Sequence, residues 1–125
     1  MFSVFVYGTL LVGESNHHIA APFVLSVKPG TINGRLYDAG PYPALVLTEE
    51  NYVVGEWLEV TKEGLEAMDV LEGYRGPGAS NEYERVWVPD VDGLREGWVY
   101  IWEDISGLKE ISGSSWKLYS EGQGL

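Results

Sequence analysis

Glycine and proline punctuate this chain from end to end. Sixteen glycines and six prolines are spread along its 125 residues and cut it into short β-branched and aromatic runs. Glycine weakens helix interiors and proline breaks them, so a chain interrupted this often cannot be built mainly from long helices. Between the breaks lie segments in which alternate positions can face a core, the texture of a small barrel or sandwich. Strands are expected near residues 3–7, 23–28, 31–38, 44–47, 52–60, 82–89 and 95–102. Asp90-Val91-Asp92-Gly93 supplies turn residues between the last two, which predicts an antiparallel hairpin with Tyr83, Arg85 and Trp87 on one face.

One segment has clear helical period and punctuation. Residues 62–72 carry Leu65, Met68 and Leu71 along one side, Thr61 in the N-cap position, Glu63 in the positive first turn and Gly73 where the helix should stop. A second short helix is expected between residues 14 and 21, and about one helical turn around Trp116. No repeat, linker or low-complexity segment divides the chain, so residues 1–125 are read as a single α+β domain.

Charge and cysteine content exclude several kinds of function. Eight basic residues against 19 acidic ones leave a formal net charge of −11. A surface that acidic repels phosphate backbones and anionic lipid, so neither nucleic acid nor a membrane is an expected partner. The absence of cysteine removes disulfides, zinc–thiolate sites and thiol nucleophiles, and suits a reducing compartment. Apolar runs such as residues 19–25 fall far short of the roughly 20 residues that span a bilayer. No basic residue precedes Met1-Phe2-Ser3-Val4-Phe5-Val6, and Gly8 follows too soon for a signal peptide. A soluble cytoplasmic protein is expected; its oligomeric state stays open.

Two places could carry chemistry. Glu72 stands at the carboxyl end of the 62–72 helix, where the macrodipole already places negative partial charge, with Asp69 one turn back. Both features disfavour its ionised form and should raise its pKa toward the range useful for proton transfer. Exposed glutamates are nevertheless common at helix ends, so Glu72 alone does not define a site. Tyr7-Gly8-Thr9-Leu10 follows the first strand directly. A glycine there frees the backbone to turn, so that successive N–H groups can converge on an anion such as a carboxylate. A plain strand-to-loop turn would read the same way. His17-His18 cannot close a metal site without partners at ligand spacing, since adjacent side chains point apart. The clustered acids Glu49, Glu50, Glu56, Glu59, Glu82 and Glu84 read as a solvated face rather than a glycosidase pair.

Taken in order, these pieces and a few others resemble one family. The segments are Val6-Tyr7-Gly8-Thr9-Leu10 with Gly13 and Asn16-His17 beyond, then Gly40-Pro41-Tyr42-Pro43-Ala44. Gly55-Glu56-Trp57, Met68-Asp69-Val70-Leu71-Glu72-Gly73 and Tyr83-Glu84-Arg85 followed by Val86 and Val88 complete the pattern. The chain resembles the gamma-glutamylcyclotransferase-like family over nearly its whole length, most closely the small branch that includes gamma-glutamylamine cyclotransferase. After the first motif, where relatives often carry basic residues, this chain has Leu11-Val12.

The resemblance implies a small mixed β-barrel with accompanying short helices. It implies that Tyr7, Gly8, Thr9 and Leu10 hold the glutamyl carboxylate and amine, that Tyr83 lines the site and that Glu72 is the general acid/base. The implied reaction is an intramolecular acyl transfer releasing 5-oxoproline and a free amine, without metal or cofactor. Its substrate would be a small γ-glutamyl amine or peptide, or a γ-glutamyl group on a biosynthetic partner. Arg85 is expected to tie down a nearby carboxylate. The alternative is a non-catalytic protein that uses the same pocket to bind an amino acid or carboxylate, and a domain used only for protein contacts is a third.

Overall fold

The first strand, β1 (Phe2–Val6), has no polar face beyond Ser3, and a strand that is apolar on both sides belongs in the middle of a sheet. The computed structural model, which describes residues 1–123, places it there. The strands that follow are β2 (Val24–Asn33), β3 (Arg35–Asp38), β4 (Pro43–Val46), β5 (Tyr52–Val60), β6 (Glu84–Pro89), β7 (Glu96–Ile101) and β8 (Lys109–Glu110). Five of them form a mixed sheet in the order β2-β5-β1-β7-β6; a second sheet has the order β4-β3-β8. β1 runs antiparallel to β5 and parallel to β7. The expected barrel is therefore present as an open arrangement of two sheets, within the α+β class.

Alternation along β1 builds two cores. Val4 and Val6 point to one face, where they pack with Leu58, Val60 and the apolar sides of two helices, α1 (His17–Ala20) and α2 (Lys62–Glu72). Phe5 and Tyr7 point to the other, where they meet Leu36 and Leu45 of the small sheet together with Trp57, Val99 and Ile111. Three layers result, with Val4, Phe5 and Val6 of β1 buried between helices and the second sheet. Among the described residues, no helix is long and apolar enough to cross a membrane.

The helix read from the sequence forms over the expected residues. Thr61 accepts a hydrogen bond from the Gly64 amide (3.2 Å), and Gly73 ends the helix in the left-handed region at φ 67°. The hairpin also forms, β6 pairing antiparallel with β7 around Gly93 at φ 74°.

Other boundaries differ, for physical reasons. The strands expected at 23–28 and 31–38 are not separated at Pro29-Gly30; β2 runs through that pair and the break comes at Gly34. β2 is an edge strand, where the missing N–H of a proline costs no ladder bond. The helix expected over 14–21 shortens to α1, followed by one 3-10 turn, Ala21–Phe23, that carries Pro22. The tail forms a third helix, α3 (Trp116–Gln123), longer than the single turn expected, because Trp116 is buried against the second core.

Candidate active site

The end of β1 delivers residues 7–11 into a tight turn. Tyr7 is anchored by its hydroxyl, which donates to the Tyr100 carbonyl at 2.6 Å, and the Leu11 amide donates back to the Gly8 carbonyl at 3.1 Å. Neighbours then take up the loop's acceptors. The Asn16 amide donates to the Thr9 carbonyl (2.8 Å), its side chain to Thr9 Oγ1 (3.1 Å), and His17 Nδ1 meets the Leu10 carbonyl (2.8 Å). The amides of Gly8, Thr9 and Leu10, by contrast, donate to no acceptor among the described residues. A loop whose carbonyls are satisfied and whose N–H groups are free is a local positive site, suited to an anion.

Gly8 is glycine for a different reason than the sequence suggests. It does not sit at positive φ; instead the Pro43 ring lies against it, and a Cβ there would fall 2.7 Å from Pro43 Cγ and Cδ. Gly8→Ala should push Pro43 and the loop apart, destabilising the fold by about 1–3 kcal/mol, the usual cost of overpacking. Chemical denaturation would measure this. An unchanged midpoint would show that the loop can yield.

A second loop sets two carboxylates side by side. Residues 74–81 leave the end of α2 and return to β6, and the feet of this excursion are joined: the Tyr83 amide donates to the Glu72 carbonyl (3.2 Å) and the Glu82 amide to the Gly73 carbonyl (3.1 Å). Asn81 pins the loop internally, accepting from the Arg75 amide at 2.6 Å and donating to the Gly76 carbonyl at 2.9 Å. Glu72 and Glu82 therefore stand on neighbouring strands of chain. Burial and then the Glu82 carboxylate push the Glu72 carboxyl up to about 7.

The direction agrees with the sequence expectation, but the cause does not. Asp69, the like charge expected beside Glu72, is neutralised. Its Oδ2 accepts from Arg85 Nη1 and its Oδ1 from the Tyr100 hydroxyl, both at 2.6 Å. Arg85 also lies over the Tyr74 and Trp98 rings, 4.8 and 4.5 Å from their centroids. It ties down a carboxylate, as the strand pattern suggested, and does not line the cavity.

These two loops face each other across a cavity of about 150 Å³. Tyr7, Gly8, Thr9, Leu10, Glu72 and Tyr83, all singled out from the sequence, line it together. So do Asn16, Tyr42, Pro43, Glu82 and Tyr100, which were not given site roles. Tyr42 and Pro43 stood within a quoted motif; Glu82 was hidden among numerous surface acids. The cavity is smaller than the roughly 300 Å³ at which drug-sized pockets begin, and suits a group of amino-acid size. Its phenols remain donors. Burial raises the Tyr7 and Tyr83 hydroxyls, and acceptance by Glu82 of the Tyr42 hydrogen bond (2.9 Å) raises that of Tyr42. Tyr83 donates to the Pro43 carbonyl at 2.8 Å. The imidazoles stand apart from one another's contacts: His17 meets the Leu10 carbonyl and His18 the Ser15 carbonyl. Among the described residues, no group of three or more His, Cys, Asp or Glu side chains could hold a metal ion.

The site thus consists of an open pair of sheets, a loop with free amides and, lining the same cavity, a half-buried carboxyl raised to about 7. Comparison with known proteins supplies the family. Residues 4–118 match the model described as "Gamma-glutamyl cyclotransferase, AIG2-like". A curated relative from Niallia circulans, gamma-L-glutamyl-butirosin B gamma-glutamyl cyclotransferase, is 41% identical over 123 residues, covering 95% of this chain and 78% of the relative. The crystal structure of YkqA from Bacillus subtilis superposes with a TM-score of 0.73 at 26% identity; it covers 98% of this chain, which spans only 42% of that one. An AIG2-like protein from Mus musculus gives a TM-score of 0.68 at 27% identity, covering 82% of this chain and 78% of its own. The chain belongs to the gamma-glutamyl cyclotransferase, AIG2-like family, and is an enzyme of that cyclotransferase type.

Proposed function

We propose that the protein cyclises the γ-glutamyl group of a small γ-glutamyl amine or peptide, releasing 5-oxoproline and the amine, with Glu72 as general acid/base. The observation that carries this reading is the pairing of the free Gly8, Thr9 and Leu10 amides with the Glu72 carboxyl at about 7 in one cavity. The amides receive the α-carboxylate, and Tyr7 and Tyr83 wall the glutamyl chain. Glu72 takes a proton from the α-ammonium. The freed amine attacks the γ-carbonyl carbon, the C–N bond to the leaving group breaks, and the five-membered lactam closes.

The proton count is simple. The α-ammonium begins with three protons and the lactam nitrogen keeps one; the other two end on the departing nitrogen, which leaves as an ammonium ion. A carboxyl near neutrality can accept and return each in turn. Ring closure within one molecule supplies much of the rate, since a held intramolecular nucleophile is worth about 7–11 kcal/mol at best.

Incubation with a panel of γ-glutamyl amines and dipeptides, followed by mass spectrometry, should yield 5-oxoproline in amounts equal to the amine released. Saturable binding across the panel without product would replace this reading with the small-molecule binding protein.

A further inference from the structure

The reaction above uses one cavity carboxylate, and the cavity holds two. Glu82 is set in place from both sides: Oε1 accepts from the Tyr42 hydroxyl at 2.9 Å, and the side chain lies against Gly73 at the end of α2. No lysine or arginine among the described residues forms an ion pair with it or lines the cavity. A fixed carboxylate that no cation of the protein compensates is a poor neighbour for a substrate already bearing a carboxylate, unless the substrate brings positive charge to it.

The position of Glu82 says which part of the substrate that is. Unlike Glu72, it is exposed at the rim. It lines the cavity and also a more open groove, together with Glu84, Trp102, Glu103 and Asp104. The glutamyl group fills the inner side, where the free amides and Glu72 stand, so the leaving amine projects past Glu82 into the groove. The groove has no basic lining residue, and Trp102 offers an aromatic ring, a surface that attracts cations over neutral or anionic groups.

Resting on the proposed reaction, we infer that Glu82 determines specificity on the leaving side, and that the preferred substrates are γ-glutamyl amides whose amine portion carries a second positive charge. Glu82 is a recognition residue for that charge, distinct from the proton-transfer role of Glu72.

Two probes of equal length isolate the charge: the γ-glutamyl monoamide of 1,4-diaminobutane and γ-glutamyl n-butylamide. The wild type should show a kcat/KM ratio, cationic over neutral, of about five to ten or more at low salt, shrinking as salt is added. Glu82→Gln keeps an acceptor for Tyr42 but removes the charge, and should lower that ratio toward one whatever it does to each rate separately. A wild-type ratio near one overturns the inference while leaving the cyclotransferase reading intact. So does a ratio that Glu82→Gln leaves unchanged, with both substrates slowed alike, since Glu82 would then serve the glutamyl end. Product from neither probe with the wild type, nor from the wider panel, overturns both.

Discussion

Glu72→Gln should give a protein that is more stable than the wild type at pH 8 and all but inactive. Glutamine keeps the shape and the hydrogen-bonding capacity of the side chain but cannot accept a proton, and loss of a positioned general base lowers kcat by about 10²–10⁴-fold. In the wild type, kcat/KM should rise with pH and level off above about 7, because the base is active only when ionised. The variant should lose that limb. Stability moves in the opposite sense. The folded state raises this carboxyl from 4.5 to about 7, so it holds the protonated form more tightly than the unfolded chain does. The stabilisation is complete below the unfolded value and is lost as pH climbs through the folded one. Glutamine never ionises, so at pH 8 the variant should exceed the wild type by on the order of 2 kcal/mol, a difference that vanishes toward pH 4. Thermal unfolding across pH, read beside 5-oxoproline formation, checks both halves. A variant that retains turnover removes Glu72 from the mechanism.

Arg85→Met should cost about 3–5 kcal/mol of stability, the usual penalty for stranding one member of a largely buried ion pair. Asp69 would keep the Tyr100 hydroxyl but lose its 2.6 Å contact with the guanidinium, and the Tyr74 and Trp98 rings would lose a cation over their faces. For a chain of this size the melting temperature should fall by roughly 10 °C or more. The effect should reach the cavity although Arg85 does not line it, because Asp69 holds the hydroxyl of Tyr100, which does. Asp69 lies three residues before Glu72 on α2, and its uncompensated charge would push the Glu72 carboxyl higher. The alkaline-rising limb of kcat/KM should therefore move to higher pH, which a general loss of folded protein would not cause. An unshifted limb would mean that Asp69 is screened from Glu72.

Much of this architecture could be read before any coordinates. The first strand, expected near residues 3–7, the Thr61 and Gly73 stops of α2, and the turn at Gly93 are local patterns, set by side-chain period and backbone preference among near neighbours. The Tyr7–Leu10 segment and Glu72 were visible for the same reason, each standing next to the punctuation that ends its element. Pro29-Gly30 misled because a proline breaks a strand only if its missing N–H is needed, and whether β2 is an edge depends on pairing with the distant β5.

The full length of the tail helix, of which local pattern showed one turn, and the place of Glu82 in the cavity were not visible from the sequence. Trp116 holds its helix only because a second core waits for it, and Glu82 differs from the chain's other acids only by standing across a loop from Glu72. The sequence by itself determined most of the elements, the caps of α2 and which residues are able to do chemistry. Only the tertiary structure decided which of those residues share a cavity, why Gly8 must be glycine, and that Glu72 is raised by burial and Glu82 while Asp69 is silenced by Arg85. Propensity and punctuation act between residues a few positions apart, whereas desolvation and charge act between groups that only folding brings together.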